Sequence, residues 1–298
     1  MKIAILNDTH CGIRNSSEIF LDNAEDFYTN IFFPECDKRN VKQIVHLGDY
    51  YDHRKFVNFK ALNQNRRVFL DQLRKRNMMM DIIPGNHDTY FKNTNELNSL
   101  KECLGHYMNE IHIIMEPTVM QYGSLSMALL PWICADNYQQ SMNFIQDCKA
   151  DWLGAHLELN GFEFALGIKS THGMDPKLFS KFEQVLSGHF HTASQQGNIW
   201  YLGNPLEFFW SDAHDPKYFH ILDTETREIE KIRNNYTLFE KIVYNDKEMD
   251  YNNYNKNLSK KFVKVVVAEK TDPFTFDRFI DRIQNQDIYE LKIAENFN

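Results

Sequence analysis

Short apolar runs that each end in a polar loop recur along the first third of the chain. Three of them have the length and composition of buried β-strands: 2–7 (KIAILN), 43–47 (QIVHL) and 78–83 (MMMDII). Apolar residues at helical spacing lie between these runs, over 19–32 and 59–73. Alternating strands and helices predict βαβ units and a largely parallel sheet, with functional side chains at the carboxyl ends of the strands.

The second half of the chain has more closely spaced strand candidates. They are 151–157, 162–168, 183–189 and 199–203, followed by a hairpin at 218–233. Their close spacing predicts a second sheet packed on the first. A polar run at about 245–260 predicts a linker, and the strand, helix and strand patterns at 262–268, 274–284 and 288–294 predict a small C-terminal βαβ domain.

Composition narrows the class of protein. The 298 residues suffice for one large and one small domain, and 33 Lys+Arg against 41 Asp+Glu give a net charge of −8. That balance argues against nucleic-acid binding through bulk charge alone, but it is compatible with a local basic surface. No apolar run approaches the roughly 18 residues of a membrane span, and the five cysteines lack Cys-x-x-Cys spacing. We therefore expect a cytoplasmic protein without membrane contact.

Five motifs at the ends of predicted strands carry metal-ligating side chains. They are Asp8-Thr9-His10, Gly48-Asp49, Gly85-Asn86-His87-Asp88, His156 and Gly188-His189-Phe190-His191. Imidazole nitrogen combined with carboxylate or amide oxygen suits divalent Mn, Fe or Zn, and a phosphate-cleaving centre uses two ions about 3.5–4 Å apart. Each motif alone is more often a turn or a helix cap. The complete ordered set favours a metal centre.

The ordered set resembles the calcineurin-like metallophosphoesterase superfamily, and within it the SbcD-type nuclease subunits, including those of T-even-type bacteriophages. The stretches that carry the resemblance are MKIAILNDTHCG, GDYYD, PGNHD, LGAHLELNGF, SGHFHT and YLGNP. The resemblance implies an α/β (α+β) fold, a four-layer αββα sandwich, for a nuclease domain at 1–240. It matches 241–298 more loosely to a small βαβ capping domain.

The resemblance also implies a role for each matching residue. Asp8, His10 and His191 would hold one ion. Asn86, His156 and His189 would hold the other. Asp49 would bridge the two ions, and His87 would be the catalytic histidine. The implied cofactors are two divalent ions, Mn²⁺ with Mg²⁺ as the alternative. Related nuclease subunits often have histidine at the last position of GDYYD, where this chain has Asp52 followed by His53, so both are left out of the predicted site.

The implied activity is that of a Mn-dependent DNA nuclease with a two-metal mechanism. It would be a 3′–5′ exonuclease on duplex ends and a single-strand endonuclease, acting in DNA recombination, double-strand-break repair and replication. The implied partners are DNA, an SbcC-like ATPase subunit and a second copy of the chain, in the host-cell cytoplasm if the protein is phage-encoded. One alternative is a phosphoprotein or small-molecule phosphoesterase with the same metal centre. The other, a noncatalytic scaffold, would need a broken ligand set.

Residues 54–76 form a basic segment. Its cations are Arg54, Lys55, Lys60, Arg66, Arg67, Arg74, Lys75 and Arg76, and its one acid is Asp71. Such runs are usually solvated helix faces. The candidates for contact with DNA phosphates are Arg54, Lys55, Lys60, Arg67 and Arg74, of which the last three recur every seven residues on one stripe. The family forms its dimer contact through helices of this region, so Phe59, Leu62, Phe69 and Leu73 are alternatively candidates for facing a second subunit.

Two further residue types have mainly structural interpretations. His46 lies within an apolar strand, which predicts a packed core histidine. The tryptophans at 132, 152, 200 and 210 are expected to anchor the core or loops, with stacking on a splayed base as the alternative for one near the cleft.

Overall fold

The computed structural model describes residues 1–295, which fall into two compact units. The N-terminal unit comprises Met1–Leu206 and Pro216–Tyr236, and the C-terminal unit comprises Glu207–Asp215 and the chain from Thr237 onward. The assignment of nuclease and capping roles to 1–240 and 241–298 stays a prediction. No helix within residues 1–295 has the length and apolar character needed to cross a membrane.

The N-terminal unit contains fourteen of the strands in the described chain. They are β1 (Lys2–Leu6), β2 (Gln43–His46), β3 (Met79–Ile82), β4 (Ile111–Ile113), β5 (Thr118–Tyr122), β6 (Leu125–Leu130), β7 (Trp152–His156), β8 (Glu163–Ala165), β9 (Ile168–Lys169), β10 (Gln184–Gly188), β11 (Ser194–Gln196), β12 (Ile199–Tyr201), β13 (Lys217–Asp223) and β14 (Ile229–Asn234). Most of them belong to two six-stranded sheets, ordered β14-β13-β1-β2-β3-β4 and β11-β12-β10-β7-β6-β5.

The helices of this unit are α1 (Ile13–Ser16), which is a short turn with left-handed backbone angles at Arg14 and Asn15, and the α-helices α2 (Glu18–Phe27), α3 (Phe33–Lys38), α4 (Phe59–Asn65), α5 (Asp71–Arg76), α6 (Ser99–Leu104) and α7 (Tyr138–Asp147). Wider π-helical turns at Tyr28–Phe32 and Arg66–Leu70 join α2 to α3 and α4 to α5. Short 3₁₀ turns lie at Gly105–Tyr107 and Pro176–Phe179. The Asn58 side chain caps α4 by accepting a hydrogen bond from Lys60 N at 2.8 Å.

The two sheets pack face to face with helices outside them. Ile5 and Val45 of the first sheet share a buried cluster with Leu129 and Leu186 of the second. Phe27 of α2 packs on Phe219 of the first sheet, and Ile145 of α7 packs on the outer side of the second. Strands β1 to β4 are parallel, as are β6, β7, β10 and β12. This arrangement confirms the predicted αββα sandwich.

The single strand predicted at 162–168 is instead two short strands, of which Glu163–Ala165 lies within the predicted range. The segment forms a separate hairpin of β8 and β9, outside the second sheet. The chain reverses next to Gly167, which has a φ of +74° that favours glycine. The sequence pattern also missed β4, β5 and β6. The last two form the antiparallel edge of the second sheet.

The C-terminal unit is a three-stranded parallel sheet with one long helix. Its elements are β15 (Phe239–Asn245), β16 (Phe262–Glu269), α8 (Pro273–Gln284) and β17 (Glu290–Glu295), and the sheet order is β15-β16-β17. The predicted βαβ segment is present, and β15 adds a strand to it. The predicted linker is irregular in structure, but Tyr251 and Leu258 within it are buried in the core of this unit, so it is a packed segment and not a free tether.

Candidate metal centre

The predicted motifs meet at one edge of the N-terminal unit because strands of the two sheets end there. β1, β2 and β3 are in parallel register, as are β7 and β10. Backbone hydrogen bonds join the loops that follow β1 and β2: Asp8 N donates to Gly48 O at 3.0 Å, and His10 N donates to Asp49 O at 3.1 Å. Parallel strands thus place separate motifs side by side.

One group of donor atoms is formed by Asp8, His10 and His191. The Nε2 atoms of His10 and His191 are 3.2 Å apart. Asp8 Oδ1 lies 3.9 Å from the first and 4.0 Å from the second. Asp8 and His10 are buried, and His191 is partly buried.

A second group is formed by Asn86, His156 and His189. Asn86 Oδ1 lies 3.0 Å from His156 Nε2 and 2.9 Å from His189 Nδ1. His156 Nδ1 donates to the carbonyl oxygen of Leu47 at 2.8 Å, so Nε2 is the nitrogen that can bind a metal ion once it has lost its proton.

Asp49 borders both groups. Its Oδ2 atom lies 3.7 Å from His10 Nε2 and 3.3 Å from His156 Nε2. Its Oδ1 atom accepts a hydrogen bond from His87 N at 2.7 Å, which fixes the orientation of the carboxylate. The structure therefore brings all seven predicted ligand residues together, with one carboxylate between two donor groups.

The backbone at this edge is strained where it positions donors. Asp8, His10, Asp49 and His189 have φ values of +48°, +42°, +54° and +89°. Non-glycine residues adopt this region at a cost of about 1–3 kcal/mol each. Gly85 is needed for close approach, because a Cβ atom there would overlap the Asp49 carboxylate. Backbone strain concentrated in the donor loops is typical of a functional site.

Burial and neighbouring charges together shift the pKa values of the donor side chains. Burial raises the pKa of Asp8, and the Asp49 carboxylate adds to that rise. Burial would do the same to Asp49, but His156, His10 and His87 hold its pKa well below the usual range. Burial would lower the pKa of His156, but Asp49 raises it to about 9.

The pKa values of the two histidines in the Gly-His-x-His motif are lowered, in contrast to that of His156. Burial lowers the pKa of His189 to about 3 and that of His191 well below its usual value. Both imidazoles are therefore neutral at physiological pH, as metal ligation requires.

The donor set fits divalent metal ions. Neighbouring donor atoms within the two groups are 2.9–4.0 Å apart, the separation expected of ligands that each lie about 2.0–2.2 Å from one ion. Four imidazoles, two buried carboxylates and an amide oxygen supply nitrogen and oxygen donors in the mixture that first-row divalent metals accept.

His87 lies beside the first donor group. Its ring centroid is 4.8 Å from that of His10 in an edge-to-face arrangement. Its Nδ1 atom donates to the backbone carbonyl oxygen of Asp52 at 2.6 Å. That bond fixes the tautomer and leaves Nε2 as the nitrogen that can act on a substrate.

The structure places one residue in the site that sequence reasoning left out. The carboxylate of Asp52 lies 3.3 Å from His10 Nδ1, and its backbone oxygen accepts the His87 bond. Asp52 ends the same loop that carries Asp49, and that adjacency was the available signal. His53 points elsewhere, stacking on Phe56 at 3.7 Å.

Two further residues orient the site without belonging to the predicted set. Asp88 accepts hydrogen bonds from the backbone N–H groups of Tyr50, Tyr51 and Gly85 at 2.9–3.0 Å, and so ties two donor loops together. Asn7 donates to Asp8 Oδ2 at 2.6 Å. Burial, with the Asp49 charge, raises the pKa of Asp88 to about 6.

Three of the proposed DNA contacts, Lys60, Arg67 and Arg74, lie on the helical part of the basic segment, and Arg54 and Lys55 lie in the loop before α4. Lys60, Arg67 and Arg74 form ion pairs with Glu18, Glu25 and Glu110. Arg54 is half-buried, and the ammonium of Lys55 lies 5.9 Å from the centre of the Tyr90 ring. The apolar stripe is divided: Phe69 and Leu73 are core residues, whereas Phe59 is 86% exposed.

The structural interpretation of His46 is confirmed. It is fully buried, and its Nε2 lies 3.0 Å from Thr9 Oγ1. Trp132 is the tryptophan nearest the donors among the contacts in residues 1–295, with ring centroids 5.4 Å from His189 and 5.9 Å from His156. Base stacking by Trp132 stays a prediction.

A sandwich fold with two adjoining donor groups defines a class of metal-dependent phosphoester hydrolases. The profile of the calcineurin-like phosphoesterase family matches residues 1–193. The chain belongs to that family, and it is an enzyme, a metal-dependent hydrolase of the nuclease branch.

Sequence relatives support this placement. Exonuclease subunit 1 of Enterobacteria phage T4 is 34% identical over 301 aligned residues, covering 100% of this chain and 85% of the relative. The SbcD subunit of the SbcCD nuclease from Staphylococcus saprophyticus is 21% identical over 257 residues, covering 77% of this chain and 67% of the relative. A solved structure described as a novel archaeal phosphodiesterase aligns with 78% of this chain and 100% of its own, with a TM-score of 0.41 and 18% identity.

Proposed function

We propose that the chain is a Mn²⁺-dependent DNA nuclease that removes nucleotides from the 3′ side of duplex ends and nicks single strands. The observation that carries the proposal is the position of Asp49 Oδ2, 3.7 Å from His10 Nε2 and 3.3 Å from His156 Nε2. A carboxylate between two donor groups is the arrangement that a two-ion phosphodiesterase needs. The relatives described as an exonuclease subunit and a nuclease subunit support DNA as the substrate.

In this proposal, each donor group holds one divalent ion. Asp8, His10 and His191 hold the first. Asn86, His156 and His189 hold the second. Asp49 is shared. When bound, the ions supply positive charge that activates water and neutralises phosphate oxygens. Mn²⁺ is favoured over Mg²⁺ because four of the seven ligands are imidazoles, whereas Mg²⁺ prefers oxygen.

His87 is the proposed catalytic residue. Its Nδ1–H is held by the carbonyl oxygen of Asp52, so Nε2 is the atom that carries a second proton when the imidazole is charged. That proton is donated to the departing sugar oxygen. General acid catalysis by a positioned histidine contributes about 10²–10⁴-fold.

The basic segment is the proposed contact with DNA phosphates, through Arg54, Lys55, Lys60, Arg67 and Arg74. In these ion pairs Lys60, Glu18 and Arg67 are exposed, and Glu25 is 31% exposed. Exposed pairs contribute only about 0–1 kcal/mol, so phosphate can displace the glutamates at small cost.

We propose two protein partners. A second copy of the chain would pack on two exposed apolar residues, Phe56 in the loop before α4 and Phe59 at its start, which are 60% and 86% exposed. An SbcC-like ATPase subunit would regulate access to DNA, because the relatives are described as subunits of nucleases. The complex would act in recombination, break repair and replication, in the cytoplasm, which is that of the host cell if the protein is phage-encoded.

The test is nucleotide release from 3′- or 5′-labelled duplex DNA in Mn²⁺, in Mg²⁺ or in chelator. We expect release that requires Mn²⁺, starts from the 3′ label and falls about 10²–10⁴-fold in His87→Ala, whose metal content stays unchanged. A phosphoserine peptide tests the rival substrate class under the same conditions. Hydrolysis of the peptide without release from DNA would overturn the nuclease proposal in favour of a protein phosphatase.

A further inference from the structure

Three lysines lie side by side across the sheet of the C-terminal unit. Lys241 of β15 is in register with Lys264 of β16, and Lys264 is in register with Lys292 of β17. Neighbouring strands are about 4.8 Å apart, and residues in register project from the same face. The lysine row (Lys241, Lys264 and Lys292) therefore crosses the whole width of the sheet.

The lysine row lies on the face opposite α8. Successive residues of a strand point to opposite faces, and the neighbours of the row, such as Ile242 and Val265, are buried in the cluster that contains Phe279 of α8. On the face of the row, Lys292 is exposed, Lys241 and Lys264 are partly exposed, and Val243 beside them is 62% exposed. The ammonium groups of the row can therefore reach an external partner.

Two of the three lysines in the row, Lys241 and Lys264, have no acidic partner within residues 1–295, unlike three other lysines of the unit. Lys247, Lys256 and Lys270 pair with Glu269, Glu240 and Glu295 at 3.0, 2.8 and 2.7 Å. Within residues 1–295, the acid that reaches the row is Glu290, 3.4 Å from Lys292. Like charges directly opposite each other on neighbouring strands destabilise a sheet. Three in line, with one acid at an end, leave an uncompensated positive strip in a chain of net charge −8.

We propose that the lysine row binds the sugar-phosphate backbone of DNA, as a contact surface separate from the metal centre and from the basic segment. The proposal rests on the nuclease function proposed above. A DNA backbone presents closely spaced negative charges, which suit a strip of lysines on neighbouring strands. Ammonium contacts of this kind hold phosphate without reading sequence.

The experiment measures the affinity of the full chain for a fluorescein-labelled 30-base-pair duplex, in chelator, from 50 to 200 mM salt. The variant combines Lys241→Gln, Lys264→Gln and Lys292→Gln. Each phosphate contact contributes about 0.9 to the slope of log affinity against log salt. We expect the slope of the variant to be smaller by about 2.7, so that the parent loses about 40-fold more affinity than the variant over this range.

A matched control combines Lys247→Gln, Lys256→Gln and Lys270→Gln, which remove the same charge from the same unit. We expect this control to change the slope by less than half as much as the row variant. Thermal unfolding should show that the row variant is no less stable than the parent, because the substitutions relieve like-charge repulsion. Hydrolysis of bis(p-nitrophenyl) phosphate should be unchanged, since no lysine of the row belongs to the metal centre.

The outcomes separate the two proposals. Equal slopes for the parent, the row variant and the control would overturn the lysine-row proposal, as would the absence of duplex binding by the parent. If polyglutamate binding depends on the row while duplex binding does not, the surface is a site for an acidic protein instead. Failure of the nuclease proposal would appear separately, as the absence of Mn²⁺-dependent hydrolysis of any diester.

Discussion

The donor loops of the N-terminal unit and the core of the C-terminal unit are both buried, but the loops bury ionisable side chains whereas the core buries apolar ones. The loops enclose Asp8, Asp49 and His156, and several of their residues have positive φ values. The C-terminal core encloses Val265 and Phe279 between regular parallel strands and a capped helix. Apolar burial stabilises a fold by itself, whereas buried carboxylates and imidazoles need one another or a cation.

Because of this difference, mutations in the two regions should affect different properties of the protein. Changes in the donor loops should remove metal and activity, with secondary effects on folding. Changes in the C-terminal core should lower the free energy of unfolding and leave the ligands in place. Proteins commonly carry strain at functional sites and offset it through packing elsewhere.

The largest effect should follow Asp49→Ala. Because Asp49 Oδ2 borders both donor groups, we expect loss of both ions and a fall in diester hydrolysis of about 10³-fold or more. Metal content, measured by mass spectrometry after desalting, checks the first part. Asp49→Asn is the control, since its amide oxygen can still accept the bond from His87 N. Full metal content in Asp49→Ala would show that this carboxylate is not shared between ions.

The next largest effect should be on stability, in the other region. Phe279 is fully buried, and Phe274 on the same helix is 67% exposed. We expect Phe279→Ala to lower the free energy of unfolding of the C-terminal unit by about 3–5 kcal/mol, and Phe274→Ala to change it by less than about 0.5 kcal/mol. Urea denaturation measures both. Metal content should stay at the parent level in each variant, and a loss in Phe279→Ala would contradict the separation of the two regions.

A smaller effect should come from Asp52, which the predicted site left out. The Asp52 carboxylate lies 3.3 Å from His10 Nδ1, so it orients the imidazole of a proposed ligand through the ring nitrogen that does not face the ion. We expect Asp52→Ala to weaken the affinity of the first ion about 10–100-fold. Asp52→Asn should recover part of that loss, because its amide oxygen can accept from the imidazole. Calorimetric titration with Mn²⁺ measures both, and equal affinity in Asp52→Ala and the parent would remove Asp52 from the site.

Sequence predicts the donors better than the residues that hold them. Asp8 and His10, or His189 and His191, are recognisable because short motifs follow apolar strands, and parallel strands bring such motifs together. The role of Asp52 depends on the path of a loop in which Asp49 has a positive φ, and no periodic pattern encodes that path.

The errors in the predicted fold have a similar origin. The apolar composition of 162–168 is that of a strand, but Gly167 turns the chain back on itself. Phe59 fits the apolar stripe of its helix, yet it is exposed, because the π-helical turn at Arg66–Leu70 changes the helical phase between it and Phe69. Local patterns predict elements well, but where the chain departs from regular geometry, tertiary packing decides.

The smallest predicted effect is on the pH dependence of stability, and it follows from a comparison of two buried imidazoles. Asp49 raises the pKa of His156 to about 9, whereas burial lowers the pKa of His220, beside Trp200, to about 3. Neither ring nitrogen of His220 has a hydrogen-bond partner among residues 1–295. An imidazole that cannot ionise in the fold opposes folding in acid, because protonation favours the unfolded chain.

The sign and the pH range follow from that lowered pKa. The contribution of His220 to stability is complete above the ordinary pKa of about 6.5 and is lost progressively as pH falls towards 3. Between pH 7.5 and 5.5 this loss is about 1.4 kcal/mol. We expect urea denaturation in chelator to show that His220→Leu loses about 1.4 kcal/mol less stability than the parent over this range. The substitution also changes packing, but that change is the same at both pH values and cancels when the loss of stability between them is compared. Equal losses in the variant and the parent would show that His220 takes up protons equally in the folded and unfolded chains.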